Sequence, residues 1–148
     1  MPSSKLKSLG QETRYFFDKP APTILEKFEN KHPENFYLIN LFCNEFTSIC
    51  PVTGQPDWGT FRIRYVPNKF CVESKSLKLY LFSFRNHGEF HEDVTNRIAK
   101  DLFRLLQPYY LEIYGDFHSR GGIAICPFVQ LWGKVKPVQE KKIQELLR

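Results

Sequence analysis

In the stretch FTSICPVTGQPDWG (46–59), Cys50 is followed by a proline and, seven residues on, by Asp57. Cysteine attacks as its thiolate, so a reactive one needs an exposed position and a proton acceptor or positive field beside it. A turn-rich loop can fold back and bring the Asp57 carboxyl to the Cys50 thiol, a pair suited to covalent catalysis. Spacing by itself favours the plainer alternative, a packed apolar cysteine. It does so more firmly for Cys43, Cys71 and Cys126, which fall inside apparent strands or at their edges.

A second cluster, HGEFHEDV (87–94), gathers two histidines and three carboxylates. Capping and dipole compensation at a helix start account for Glu92 and Asp93. The same residues also suit a carboxylate that accepts two hydrogen bonds from a guanine-like edge, next to a histidine able to move protons near neutrality. In ESKSLKLY (73–80), Lys75 and Lys78 are three apart and would share a helix face. Arg120 stands before Gly121 and Gly122, where a guanidinium fork can approach a phosphate. All three cations are equally at home on a solvated surface. A G-x-G-x-x-G fingerprint is absent, so a Rossmann mode of nucleotide binding is unsupported.

These residues need elements to hold them. The run 36–47, FYLINLFCNEFT, is rich in aromatic and branched residues and reads as a strand, followed by a Pro- and Gly-studded loop over TSICPVTGQPDWG. Residues 60–66 alternate, Phe61, Ile63 and Tyr65 on one face and Arg62 and Arg64 on the other, as in a half-buried strand. Residues 74–86 fit both periods; helix is favoured, with Ser74 as N-cap and Gly88 past the end. Residues 91–107 carry the stripe Val94, Ile98, Leu102, Leu105 and Leu106 and form a helix that Pro108 stops. Strands follow at 109–117 and 122–129, joined by the turn SRGG. The order β-β-α-α-β-β predicts an α+β layer, an antiparallel sheet with two helices on one face.

At 148 residues the chain suits a single domain over 1–148, with an extended lead-in over about 1–22 and a short basic, solvated tail over about 134–148. A 16% aromatic share supplies ample apolar surface and argues against disorder. The net charge of +5 suits anionic partners, or simply solubility. The four cysteines form no C-x-x-C pair, the N-terminal stretch has no apolar signal-like run, and no segment approaches a membrane span, so free thiols in a reducing cytoplasm are expected.

Taken together, FTSICPVTGQPDWG, ESKSLKLYLFSFRNHGEFHEDV and SRGGIAICP strongly resemble the single-domain NADPH-dependent 7-cyano-7-deazaguanine reductases, from about Phe36 to Pro127. E-S-K-S-x-K-x-aromatic is that family's marker. The resemblance implies the tunnelling fold, homo-oligomeric rings joined through their sheets, and active sites at subunit interfaces. It implies reduction of a nitrile to an aminomethyl group on the route to queuosine in tRNA, with two NADPH used per nitrile; no metal ligand is assigned, and no direct nucleic-acid or membrane partner is expected. Carried across residue by residue, it makes Cys50 the nucleophile that forms a covalent thioimide and Asp57 the acid assisting proton transfer. Val72, Glu73, Ser74, His91 and Glu92 become substrate contacts, and His91 also serves catalysis. Lys75, Lys78 and Arg120 fall where NADPH phosphates are expected. Some relatives place a second cysteine where Val94 stands, so a protective disulfide with the nucleophile is not expected here.

Two other classes remain in view. A zinc-dependent GTP-cyclohydrolase or pterin-type enzyme on the same fold would need a compact Cys/His ligand set, which the spacing does not provide. A basic RNA-binding module would show a glycine-aromatic signature or a basic stripe, and Arg62 and Arg64 alone make neither.

Overall fold

Two long segments build one half of the sheet, an edge strand and its inner neighbour. β2 (Ile39–Ile49) and β3 (Pro56–Val66) pair antiparallel from Ile39↔Tyr65 to Ile49↔Pro56, with a bulge in β2 between Cys43 and Phe46. The structure, a computed structural model, describes residues 6–13, 15 and 19–148. β3 pairs on its other side with β5 (Tyr110–Phe117), and β5 with β6 (Phe128–Trp132), so the sheet order is β2-β3-β5-β6. A short ribbon, β1 (Lys27–Glu29) with β4 (Phe70–Val72), lies outside this sheet and has no clear sequence signal. Between β4 and β5 come α1 (Ser74–Phe82) and α2 (His91–Leu106). The predicted β-β-α-α-β-β layer is thus the frame of the molecule.

The period of two in β3 is realised as expected. Asp57, Gly59, Phe61, Ile63 and Tyr65 point into the core and Arg62 points out. The α2 stripe Val94, Ile98, Leu102 and Leu106 is buried against that face, each side chain contributing about 1.5–3 kcal/mol by leaving water. Leu105, the fifth residue of the predicted stripe, is only partly buried. Gln107 closes α2 in the left-handed region, at φ 47°, before Pro108.

Several boundaries differ from the sequence reading. The stretch 47–59 is mostly strand: only residues 50–55 form the turn, because backbone pairing resumes at Pro56, the first residue of β3, where a missing N–H is tolerated. α1 is capped by Glu73 rather than Ser74. The Glu73 carboxylate accepts the Lys75 and Ser76 amides, both at 2.7 Å. The helix ends at Phe82, so Gly88 plays no part in it. The strand expected at 122–129 begins only at Phe128. Residues 123–127 still run beside β5, but Pro127 has no amide to donate and pairing is reduced to isolated bonds. The SRGG turn forms as predicted, with Gly121 and Gly122 at φ 58° and 79° between paired Arg120 and Ile123.

The C-terminal stretch read as a solvated tail contains a helix, α3 (Pro137–Leu146). Its Ile143 is fully buried with Val66 and Tyr110, a contact visible only once the strands are assembled. Of the lead-in, residues 6–13 make bends and turns rather than one extended strand, and Pro22–Ile24 is a single 3-10 turn; the rest of that expectation lies partly outside the described residues. The lead-in is fastened by Glu26, whose carboxylate accepts the Lys7 amide at 2.6 Å and the Ser8 hydroxyl at 2.8 Å.

Candidate active site

The β2–β3 turn carries Cys50. Its amide donates to the Gln55 carbonyl at 2.8 Å and its carbonyl accepts from Gly54 at 2.9 Å, with Gly54 at φ 70° completing the reversal. Inside this tight loop the thiol is drawn down from its ordinary 9.0 to about 7. The Thr53 hydroxyl is the largest cause, followed by the Thr53 and Val52 amides; Arg120 adds a smaller contribution, and slight desolvation opposes them. Each of these groups donates a hydrogen bond that the thiolate accepts better than the thiol. Cys43 shows the reverse, burial pushing it up to about 11, as a packed apolar cysteine should.

Asp57 is 5% exposed, and its place on β3 turns its carboxylate inward. One oxygen lies 3.1 Å from Nε2 of His91, the first residue of α2. The other contacts the Arg120 guanidinium, reaching across from the β5–β6 turn. Arg120 also donates to the Gln55 and Pro56 carbonyls, both at 3.3 Å, and so ties the two hairpin turns together. The His91 ring lies flat on Phe117, centroids 3.9 Å apart and planes 1° from parallel. The segment 87–89 runs beside the end of β2, the Ile49 amide donating to the His87 carbonyl at 3.1 Å. Three buried polar atoms lack a hydrogen-bond partner among the described residues: Ser48 Oγ, His91 Nδ1 and His87 Nε2, the last lying 3.5 Å from a Glu89 carboxylate oxygen. Ser48 stands directly across from Asp57.

Cys50, Asp57, His91 and Arg120 therefore meet at one end of the sheet. Glu92 is nearby on α2 but exposed, its backbone carbonyl accepting from Asn96 at 2.9 Å. Val72, Glu73 and Ser74 are not brought to this group. The Val72 amide donates to the Tyr65 hydroxyl, and Tyr65 is eight residues along β3 from Asp57, roughly 26 Å at the usual strand rise. Lys75 follows them at the start of α1, and Lys78 lies further along the helix beside β2. The Lys75 ammonium donates to the Ser8 and Gln11 carbonyls, both at 2.8 Å, while Lys78 lies exposed over the Tyr15 ring. Lys78 also borders a mainly apolar groove of about 370 Å³ between β2 and α1, lined by Phe42, Phe46, Leu77 and Leu81 and reaching Thr47 near the end of β2.

Thr53 and Phe117 carried no signal in the sequence. A threonine in a turn and an aromatic at a strand end are ordinary, and only the fold sets them against Cys50 and His91. Among the described residues no group of three His, Cys, Asp or Glu side chains converges as a metal site, and no helix is long and apolar enough to cross a membrane.

A four-stranded antiparallel sheet with paired helices on one face and an activated cysteine beside an aspartate–histidine pair defines a tunnelling-fold protein with the makings of a covalent catalyst. A solved structure with this architecture, the archaeosine synthase QueF-Like in its apo form, matches 69% of the chain and 99% of that protein at a TM-score of 0.61 and 18% identity, a likeness of fold. The model of the QueF-like protein family matches residues 56–135. A protein of Helicobacter pylori (strain HPAG1) named NADPH-dependent 7-cyano-7-deazaguanine reductase is 56% identical over 146 residues, 99% of this chain and 97% of that protein. One of the same name from Neisseria meningitidis serogroup C is 60% identical over 125 residues, 84% of this chain and 78% of the relative. The chain belongs to the QueF-like family.

Proposed function

We propose that this protein is an NADPH-dependent reductase of 7-cyano-7-deazaguanine, converting its nitrile to an aminomethyl group for queuosine formation. The observation that carries this reading is Cys50, a thiol lowered to about 7 in a rigid turn, beside the buried Asp57–His91 pair. A nitrile carbon is electrophilic but a poor direct hydride acceptor. Attack by the Cys50 thiolate forms a carbon–sulfur bond and pushes one pair of the triple bond onto nitrogen. That nitrogen takes up the proton the thiol released, and the 3.1 Å contact between Asp57 and His91 gives the site a path along which to supply the further protons that reduction of the nitrogen requires. The product is a thioimide, an easier hydride acceptor.

NADPH, when bound, supplies the hydride. The exposure of Lys78 beside the β2–α1 groove supports a phosphate contact there. Lys75 would first have to release Ser8 and Gln11. Arg120, whose Nη2 meets Asp57 and two carbonyls, serves the cysteine end of the site in the free chain.

The distance between Cys50 and the Val72–Ser74 stretch supports a site shared between subunits, one chain giving the nucleophile and its neighbour the α1 start that, with Glu92, holds the deazaguanine. The sheet face turned away from α2 supports a ring of such subunits. Its row Phe42–Arg62–Tyr114–Phe128 crosses all four strands, with Phe42 66% and Phe128 53% exposed. Four free cysteines fit a cytoplasmic setting.

The test is incubation with 7-cyano-7-deazaguanine alone, followed by intact mass. The wild-type chain is expected to gain the substrate's mass on Cys50. Cys50→Ala and Cys50→Ser are expected to gain nothing and to lose turnover while keeping the fold. Normal turnover in either variant overturns the mechanism.

A further inference from the structure

His91 has few constraints of its own. It opens α2, the N-cap residue Phe90 makes no side-chain cap, and Nδ1 has no protein partner among the described residues. One ring edge meets Asp57. What remains to fix the ring plane is the flat face of Phe117.

Phe117 is seated with unusual closeness. Its cross-strand partner is Gly59, where a Cβ would lie 2.9 Å from Phe117 Cδ1 and 2.9 Å from the Asp116 carbonyl oxygen. Two residues back on the same face of β5 is Gly115, where a Cβ would lie 3.0 Å from Phe117 Cε2 and 3.0 Å from Phe61 Cε1. Neither glycine has a positive φ, so the demand is for space and not for backbone freedom. The ring is therefore let into the sheet surface between two bare backbone positions. Phe46 and Phe61 meet it at right angles, at 6.1 and 5.6 Å, and hold its rim. Phe117 is 2% exposed, and the face left over carries the imidazole. A larger residue at 59 or 115 would lift the ring and with it His91, away from the buried carboxylate.

We propose that Phe117, seated on Gly59 and Gly115, is a positioning residue for the reaction: it sets the plane of the His91 imidazole so that Nε2 faces Asp57 and the pair can pass a proton toward the reacting nitrogen. The role rests on the reductase reading above. Thiolate attack depends on the Cys50 turn and does not need the platform; proton delivery during reduction does.

The experiment separates the two steps. Phe117→Leu, Phe117→Tyr and Gly115→Ala are compared with wild type, after thermal melts and subunit assembly show each to be folded. Covalent adduct formation with 7-cyano-7-deazaguanine alone is followed first, then adduct consumption on adding NADPH. Phe117→Leu is expected to form adduct at close to the wild-type rate and to consume it about tenfold more slowly, the equivalent of about 1.4 kcal/mol in the barrier. Phe117→Tyr, which keeps the aromatic face, is expected to restore most of that loss. Gly115→Ala, which crowds the ring without removing it, is expected to slow consumption and spare adduct formation; it also serves where Phe117→Leu does not fold. Wild-type consumption in folded Phe117→Leu or Gly115→Ala overturns the proposal, as does equal slowing of both steps or no recovery in Phe117→Tyr. A wild-type chain that forms no adduct overturns the reductase reading itself, which a normal wild type with unimpaired variants does not.

Discussion

Replacing Thr53 by valine keeps the branched shape of the turn residue and removes the side-chain donor that contributes most to lowering the Cys50 thiol. The amides of Val52 and Thr53 remain, and so does Arg120, so the shift from 9.0 to about 7 should be lost only in part. A rise on the order of one pH unit is expected for the removal of one hydrogen bond to the charged form. At pH 7 that takes the thiolate from roughly half of the population to roughly a tenth. The more basic thiolate is also the better nucleophile, by a Brønsted slope of about 0.4–0.5, so the net alkylation rate at pH 7 falls only about twofold. The diagnostic quantity is therefore the midpoint of the rate–pH curve. Iodoacetamide labelling from pH 5.5 to 9.5 without substrate, with each cysteine read separately by peptide mass, gives that midpoint for Cys50. Site resolution matters because Cys126 is exposed and will also react, whereas Cys43, raised by burial, should stay silent. A wild-type midpoint near 9, or an unchanged midpoint in the folded Thr53→Val protein, refutes the reasoning that this turn activates the thiol.

Ile143→Ala should cost about 2–5 kcal/mol, the usual range for emptying a fully buried branched position, because Ile143 is the buried anchor of α3 against Val66 and Tyr110; a denaturation midpoint within error of wild type would mean that α3 adds nothing to stability. Glu92→Gln should weaken substrate binding more than NADPH binding, by roughly 1–3 kcal/mol once the site closes over it, since an amide presents one mismatched group to the ring donors. Calorimetry with each ligand separately checks this, and equal affinity for the substrate would remove Glu92 from the role.

Much of this protein was legible without coordinates. A stripe at 3.6 spacing from Val94 to Leu106 defines α2 because no other period buries those side chains together, and the alternation in 60–66 defines β3 for the same reason. The Cys50, His91 and ESKS motifs pointed to a family that the relatives bear out. Tertiary structure decided what periodicity does not encode. Whether 47–59 is loop or strand depended on a partner chain segment to pair with, and that pairing made Asp57 a buried strand residue. Arg120 reads in the sequence as a phosphate-gripping cation in a glycine turn, or as a plain surface charge. The crossing of two hairpin ends, distant in sequence, set it on the Asp57 carboxylate. The lysines of α1 share a helix face as their spacing requires, yet the fold engages Lys75 with the Ser8 and Gln11 carbonyls and Glu73 with the helix start rather than with the Cys50 turn. Local sequence determines which face a residue occupies, since helix and strand geometry repeat over a few residues. Which faces then meet depends on how far apart the sheet holds them, and that distance is a property of the assembled chain alone.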